Sequence, residues 1–221
     1  MRKALLSRYE VDNVPLFLKP LFYLYGYSVA FILFVYFLIV RATLRVEIRG
    51  DEILTIRRNY ILCFWHTFIV LYFSVFLRNR WHIWIQHASW FMKPVHVFLR
   101  FIGVKELALG STGHCGQKAA DKVVSYLRRG YSSVLLPDGP GGPPFRLNKG
   151  VLHIALQSHV PIVPMQFTAS RYFELTTWDR KKWPYLFSKI SIEFGNPIQV
   201  TSANFTAAVG ELEKALGRKE F

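Results

Sequence analysis

The chain has 221 residues, enough for one domain with a sizeable core and no need of disulfide staples. It is 52% hydrophobic and 16% aromatic with a mean hydropathy of +0.20, high for a soluble domain and low for a protein with several membrane spans. Lys and Arg total 28 against 14 acidic residues, and this net charge of +14 favours polyanionic partners, whether nucleic acid, anionic lipid headgroups or an acidic carrier protein. Nucleic acid is not expected, because no recognisable nucleic-acid motif accompanies the charge and a long uncharged apolar run does.

That run is Leu21 to Val40, 20 residues without a charge, about the length that crosses a bilayer as a helix. Lys19 precedes it and Arg41 and Arg45 follow, and no small-residue cleavage site marks it as a signal peptide. It is read as a membrane anchor, spanning or re-entrant, with a buried core helix as the alternative. Residues 1–42 are expected to form this anchor segment and residues 43–221 one α/β domain.

From about residue 43 strands and helices alternate. Thr43–Ile48, Tyr60–Trp65, Trp81–Gln86, Lys105–Leu109, Ser132–Leu136, Pro161–Thr168 and Ile190–Phe194 read as strands. Between them, Thr67–Leu77, Met92–Ile102, Gly116–Gly130, Gly150–Ser158 and Asn204–Leu216 read as helices. In the third, Ala119, Ala120, Val123, Val124 and Leu127 share one face. The expected fold is a mixed sheet flanked by helices, with an N-terminal membrane-associated helical segment. Cys63 and Cys115 show no metal spacing and are read as reduced, buried thiols.

Three strand-to-loop junctions hold residues able to do chemistry, and in open α/β sheets ligands bind beyond the carboxyl ends of strands. Asp138 opens the Gly/Pro-rich loop Asp138–Pro144, in which Gly139 and Pro140 let a substrate approach the backbone, and Arg146 and Lys149 follow as cations. No GK[ST] follows the glycines, so this is not a P-loop. His66 ends the Tyr60–Trp65 run, where a neutral imidazole can take a proton from a hydroxyl. Ser111 and Thr112 precede the helix that starts at Gly116, whose N-terminus suits an anion.

The order Trp65-His66, Gly110-Ser111-Thr112, Leu136-Pro137-Asp138-Gly139-Pro140 and Val160–Pro164 resembles the lysophospholipid acyltransferase superfamily, nearest to its bacterial branch with a DGPxGP loop. Trp178-Asp179, followed by Trp183-Pro184 and Phe187-Ser188, resembles a further stretch of that branch. The similarity covers roughly residues 45–200. It implies transfer of a fatty acyl chain from acyl-CoA or acyl-carrier protein, without a resident cofactor, to a hydroxyl of a lysophospholipid or lipid A-type precursor. The reaction would take place on membrane lipids at the cytoplasmic face of a bacterial inner membrane. His66 would be the base, Asp138 would stand where better-known members carry a glutamate that helps hold the acceptor, and Ser111 and Thr112 would line the acceptor pocket.

Two departures from the family pattern stand out. The aspartate that relatives place five residues after the histidine is Leu71 here, so the orienting carboxylate comes from elsewhere, Asp138 being one candidate, or is absent. An arginine that meets acceptor phosphate in many relatives is Leu109, which puts a phosphate-bearing acceptor in question. These departures motivate the alternative of a catalytically inactive, membrane lipid-binding relative. Gln86-His87-Ala88-Ser89-Trp90 offers a rival histidine, but His87 follows the second buried strand rather than the first, and His66 is preferred.

Overall fold

A computed structural model describes residues 10–11, 13–56, 59–110, 115–139 and 141–217. Nine strands and seven α-helices occur among them: α1 (Lys19–Thr43), β1 (Arg45–Arg49), α2 (Glu52–Ile56), β2 (Ile61–Cys63), α3 (Ile69–Val75), β3 (His82–Gln86), α4 (Lys93–Phe101), β4 (Glu106–Leu109), α5 (Gly116–Arg128), β5 (Ser132–Leu135), α6 (Gly150–Ser158), β6 (Ile162–Ala169), β7 (Tyr172–Glu174), β8 (Lys182–Pro184), β9 (Lys189–Phe194) and α7 (Phe205–Leu216).

Seven strands form one mixed sheet in the order β1-β9-β6-β2-β5-β3-β4. β6, β2, β5, β3 and β4 run parallel, while β9 lies antiparallel to β6 and carries β1 parallel to itself. The central strands read as continuous apolar runs because helices cover both faces. Adjacent side chains on β6 show the two layers: Gln166 reaches the Ala215 carbonyl of α7, whereas Phe167 stacks on Phe68 just before α3. α5, α6 and α7 make one layer, and α1, α3 and α4 the other. The mixed sheet flanked by helices is therefore present as expected.

The apolar stretch after His66 is a 3₁₀ turn, His66–Phe68, followed by α3, which has almost every side chain buried. α3 is thus the central helix of its layer, and its Tyr72 and Phe73 rings pack on Trp84 of β3. The pair β7–β8 forms a separate two-stranded ribbon beside it. Cys63 is fully buried on β2 as expected, but Cys115 is exposed, because it adopts a left-handed conformation at the start of α5 and its side chain falls outside the helix packing.

α1 belongs to a 28-residue run, Leu16–Thr43, long and apolar enough to cross a membrane. One stripe of it, Phe22, Gly26, Ala30, Phe37 and Val40, is buried against the domain. The contacts run its whole length: Tyr25 with Trp90, Phe34 with Phe101, Phe37 with Phe73, Phe98 and Trp183, and Thr43 with the Phe187 backbone. Gly26 makes the close crossing possible, since a Cβ there would sit 2.5 Å from Cγ of Lys93. The opposite face carries exposed Leu21, Leu24, Phe31, Ile32, Leu38 and Ile39.

Candidate active site

β2 and β5 are parallel neighbours paired Cys63 to Leu135. Each chain leaves the sheet at the same level, so His66 and Asp138, each three residues beyond that pair, arrive side by side. The His66 backbone N–H donates to Oδ1 of Asp138 at 3.0 Å, and the Phe145 N–H reaches Oδ2 at 3.4 Å. Asp138 is buried, and this burial pushes its carboxyl above the usual range, opposed by the N–H donors and by His66. Asp138 thus clasps the two loops by their backbone N–H groups rather than by the imidazole ring.

The carboxylate at the ring is Asp179. Its Oδ2 lies 2.5 Å from Nδ1 of His66 and 2.6 Å from Nζ of Lys181. Thr177 donates to Oδ1 at 2.6 Å, and the Thr67 hydroxyl donates to the Asp179 carbonyl. Asp179 is fully buried, which alone would raise its pKa, but the bonds from His66, Lys181 and Thr177 outweigh burial and hold the carboxyl well below the usual range. An ionised carboxylate facing Nδ1 fixes the neutral ring with its proton on that nitrogen, leaving Nε2 as an acceptor. The Trp178 ring covers the imidazole at 5.2 Å between centroids.

Trp178 in turn seats on the loop that Asp138 opens. Gly142 has φ +65°, and a Cβ there would lie 2.6 Å from Cε3 of the indole. That position needs glycine for both its backbone conformation and the ring it touches.

His66 opens onto a cavity of about 890 Å³ at the carboxyl ends of β3 and β5. Its walls include Trp84, Gln86 and His87, then Gly110 after β4 and Pro137, Gly139 and Asn148 from the Asp138 loop. Two helices start at it: Gly116 and Gln117 open α5, and Gly150 and Val151 open α6. Both positive helix ends therefore border the cavity. Residues 67–77 do not line it.

Of the residues singled out from sequence, His66 and Gly139 line this cavity, and Asp138 lies buried behind His66. Arg146 and Lys149 are exposed on the surface and outside the lining. Ser111, Thr112 and Pro140 lie outside the described residues. His87, the rival histidine, shares the cavity, but its Nδ1 accepts from the Ser89 backbone N–H at 3.2 Å and lies 2.8 Å from the Ser89 hydroxyl. Among the described residues no carboxylate bonds to its ring. Asp179 was missed as the partner because local spacing points to Leu71, which is buried in α3. The available signal was an acid inside the conspicuous Thr177-Trp178-Asp179 stretch.

No family model matches the chain. It is similar to an uncharacterised protein of Rickettsia prowazekii (strain Madrid E), 27% identical over 171 residues that span 76% of this chain and 77% of that one. Its fold is shared with the crystal structure of the 1-acyl-sn-glycerophosphate (LPA) acyltransferase PlsC from Thermotoga maritima, with a TM-score of 0.50. That likeness covers 86% of this chain and 76% of the other at 15% sequence identity, and is a likeness of fold.

Proposed function

We propose that this protein is an O-acyltransferase that works on a membrane surface, moving a fatty acyl chain from acyl-CoA or acyl-carrier protein to a hydroxyl of a lysophospholipid or lipid A-type precursor. The observation that carries this reading is the His66–Asp179 pair at the mouth of a cavity of ligand size. With Nδ1 held by the carboxylate, Nε2 of His66 takes the proton of the acceptor hydroxyl as its oxygen attacks the thioester carbonyl. The tetrahedral intermediate then collapses, the thiolate leaves, and the imidazolium returns the proton to sulfur. Asp179 stabilises that imidazolium, a contribution in general-base catalysis of roughly 10²–10⁴-fold. The starts of α5 and α6 offer positive ends for the oxyanion and for anionic parts of the donor.

The apolar run of α1 supports membrane attachment. A spanning helix needs about 30 Å of its length in hydrocarbon, yet α1 touches the domain from Phe22 to Thr43. A 22-residue stretch of helix is about 33 Å long. The reading that accommodates both its apolar outer face and its packed inner face is a helix lying in the bilayer plane, sunk into one leaflet. With the basic surface drawn to anionic headgroups, the cytoplasmic face of a bacterial inner membrane is the proposed location.

The test is to incubate the full chain in detergent with labelled acyl-CoA or acyl-carrier protein and a panel of lysolipids and lipid A precursors, with His66→Ala and His87→Ala beside it. Product lost with His66→Ala supports the reading and names the acceptor. No product from any pairing replaces it with an inactive lipid-binding protein.

A further inference from the structure

A second cavity, of about 650 Å³, lies on the far side of the edge strand β4, walled by α1, α4 and α5. Its apolar floor is Val97, Leu107 and Leu109. Four cations surround that floor: Lys93 and Arg100 from α4, and Lys118 and Lys122 from α5. The spacing follows from helix geometry, since residues 93 and 100 are seven apart and 118 and 122 four apart, each pair on one face.

Among the described residues Glu106 is the lining carboxylate, and it is already taken. Lys122 holds it at 3.0 Å and also donates to the Leu107 carbonyl at 3.1 Å, which keeps the Glu106 carboxyl below its ordinary range against burial. Arg100 also acts on Glu106 through space, and among the described lining residues four cations against this one carboxylate leave a net excess of three positive charges. Lys93 keeps its stem in the Gly26 notch and its ammonium 4.8 Å from the Tyr23 ring centroid, and Arg100 gives one bond to the Lys105 carbonyl.

The rim has a different character. Tyr27 and Phe101 form it, with their rings 6.4 Å apart and both exposed beside the apolar outer face of α1. Aromatic rings at a mouth, cations inside it and an apolar floor match the order of chemistry met at a bilayer surface: interface, headgroup phosphate and the first carbons of a lipid. Lys118 lines this groove and the His66 cavity alike, so the two adjoin across the start of α5.

We propose that this groove is a binding site for the phosphate-bearing headgroup of an anionic membrane lipid, received from the leaflet in which α1 lies. The phosphate sits among Lys93, Arg100 and Lys118, and the glycerol end of the lipid rests on Val97, Leu107 and Leu109. The site stands apart from the acyl-transfer reading and is tested by binding alone.

The experiment titrates the full chain in zwitterionic detergent with dihexanoyl phosphatidic acid, dihexanoyl phosphatidylcholine and inorganic phosphate, by calorimetry. The wild-type chain should bind the phosphatidic acid saturably at one site, and the other two at least about tenfold more weakly, the neutral headgroup for want of net charge and the free ion for want of the floor. Three chains carry the comparison. Lys118→Gln changes an exposed side chain and should weaken binding about fivefold, the worth of one cation at a lipid surface. Lys93→Gln/Arg100→Gln/Lys118→Gln should weaken it about a hundredfold. Arg49→Gln/Arg129→Gln/Lys214→Gln removes the same charge from exposed positions elsewhere and should stay within about twofold of wild type. Equal losses in the two triple variants would mean diffuse surface charge and overturn the site. Inorganic phosphate binding as tightly as the lipid would make it a plain anion pocket, and absence of saturable binding to the wild-type chain would remove it altogether.

Discussion

The pair formed by His66 and Asp179 joins residues 113 positions apart, and in the proposed function it divides the work of one catalytic group between them. Asp179→Asn replaces an acceptor at Nδ1 with an amide whose NH₂ can select the opposite tautomer. kcat should then fall by roughly 10²–10⁴-fold with KM changed little, measured by initial rates on the best acceptor. The two buried aspartates should also respond to pH with opposite sign. Asp179 has a depressed folded-state pKa, so its contribution to stability is complete above the ordinary aspartate value near pH 4 and is lost as pH falls through the lower, folded-state value. Asp138 has a raised one, so its contribution is fullest below about pH 4 and declines as pH rises through the folded-state value. Melting temperatures of wild type and Asp138→Asn, compared from pH 4 to pH 7, should show the wild type losing ground as pH rises. The place of His66 just beyond a buried strand was legible from the sequence because local pattern carries that information. Its carboxylate was not, because the contact depends on a loop that reaches it only once the sheet is assembled.

At the level of elements, the Asp138 loop and the Thr177–Lys181 loop are locked together by a glycine and an indole. Gly142→Ala places a Cβ at positive φ and into Trp178 at once. A loss of about 1–3 kcal/mol in unfolding free energy is expected from the backbone strain alone, together with a drop in activity as the indole shifts off His66. Chemical denaturation and the acyl-transfer assay check the two parts separately. The long, periodic elements were readable: α5 buries Ala119, Val123, Val124 and Leu127 as its amphipathic pattern required, and α6 spans Gly150–Ser158 as expected. The three-residue strands β7 and β8 escaped notice because three residues cannot establish a period of two. They pair because Tyr172 and Pro184, Phe173 and Trp183, and Glu174 and Lys182 meet across the ribbon. The five-residue α2 escaped for the same reason of length.

On the scale of the whole molecule, α1 is both a core element and the bearer of an exposed apolar face, a duality that its composition hid. A uniformly apolar run does not announce which stripe faces protein. The buried stripe at Phe22, Gly26, Ala30, Phe37 and Val40 emerges only from packing on α4 and α3. The outer face can therefore be altered without touching the core. Leu24→Asp/Phe31→Asp/Leu38→Asp changes three exposed residues spaced seven apart. It should keep the circular dichroism spectrum and cut partition into phosphatidylglycerol vesicles by at least about three orders of magnitude, since each of the three large apolar side chains withdrawn from hydrocarbon costs about 1.5–3 kcal/mol. β8 extends this link inward. Trp183 bonds the Tyr36 hydroxyl and stacks on Phe37 of α1, and Lys181, which grips Asp179, lies two residues before it. The carboxylate that faces His66 is thus moored to the hull rather than to the sheet that carries the histidine. A detergent that loosens α1 slackens that mooring, and Trp183→Ala, remote from the cavity lining, should lower turnover by letting the imidazole drift from its tautomer. With α1 sunk in the bilayer and His66 acting as the base, as proposed above, the membrane becomes the outer wall of a vise, and grip on the lipid surface and grip on the histidine proton are one mechanical state.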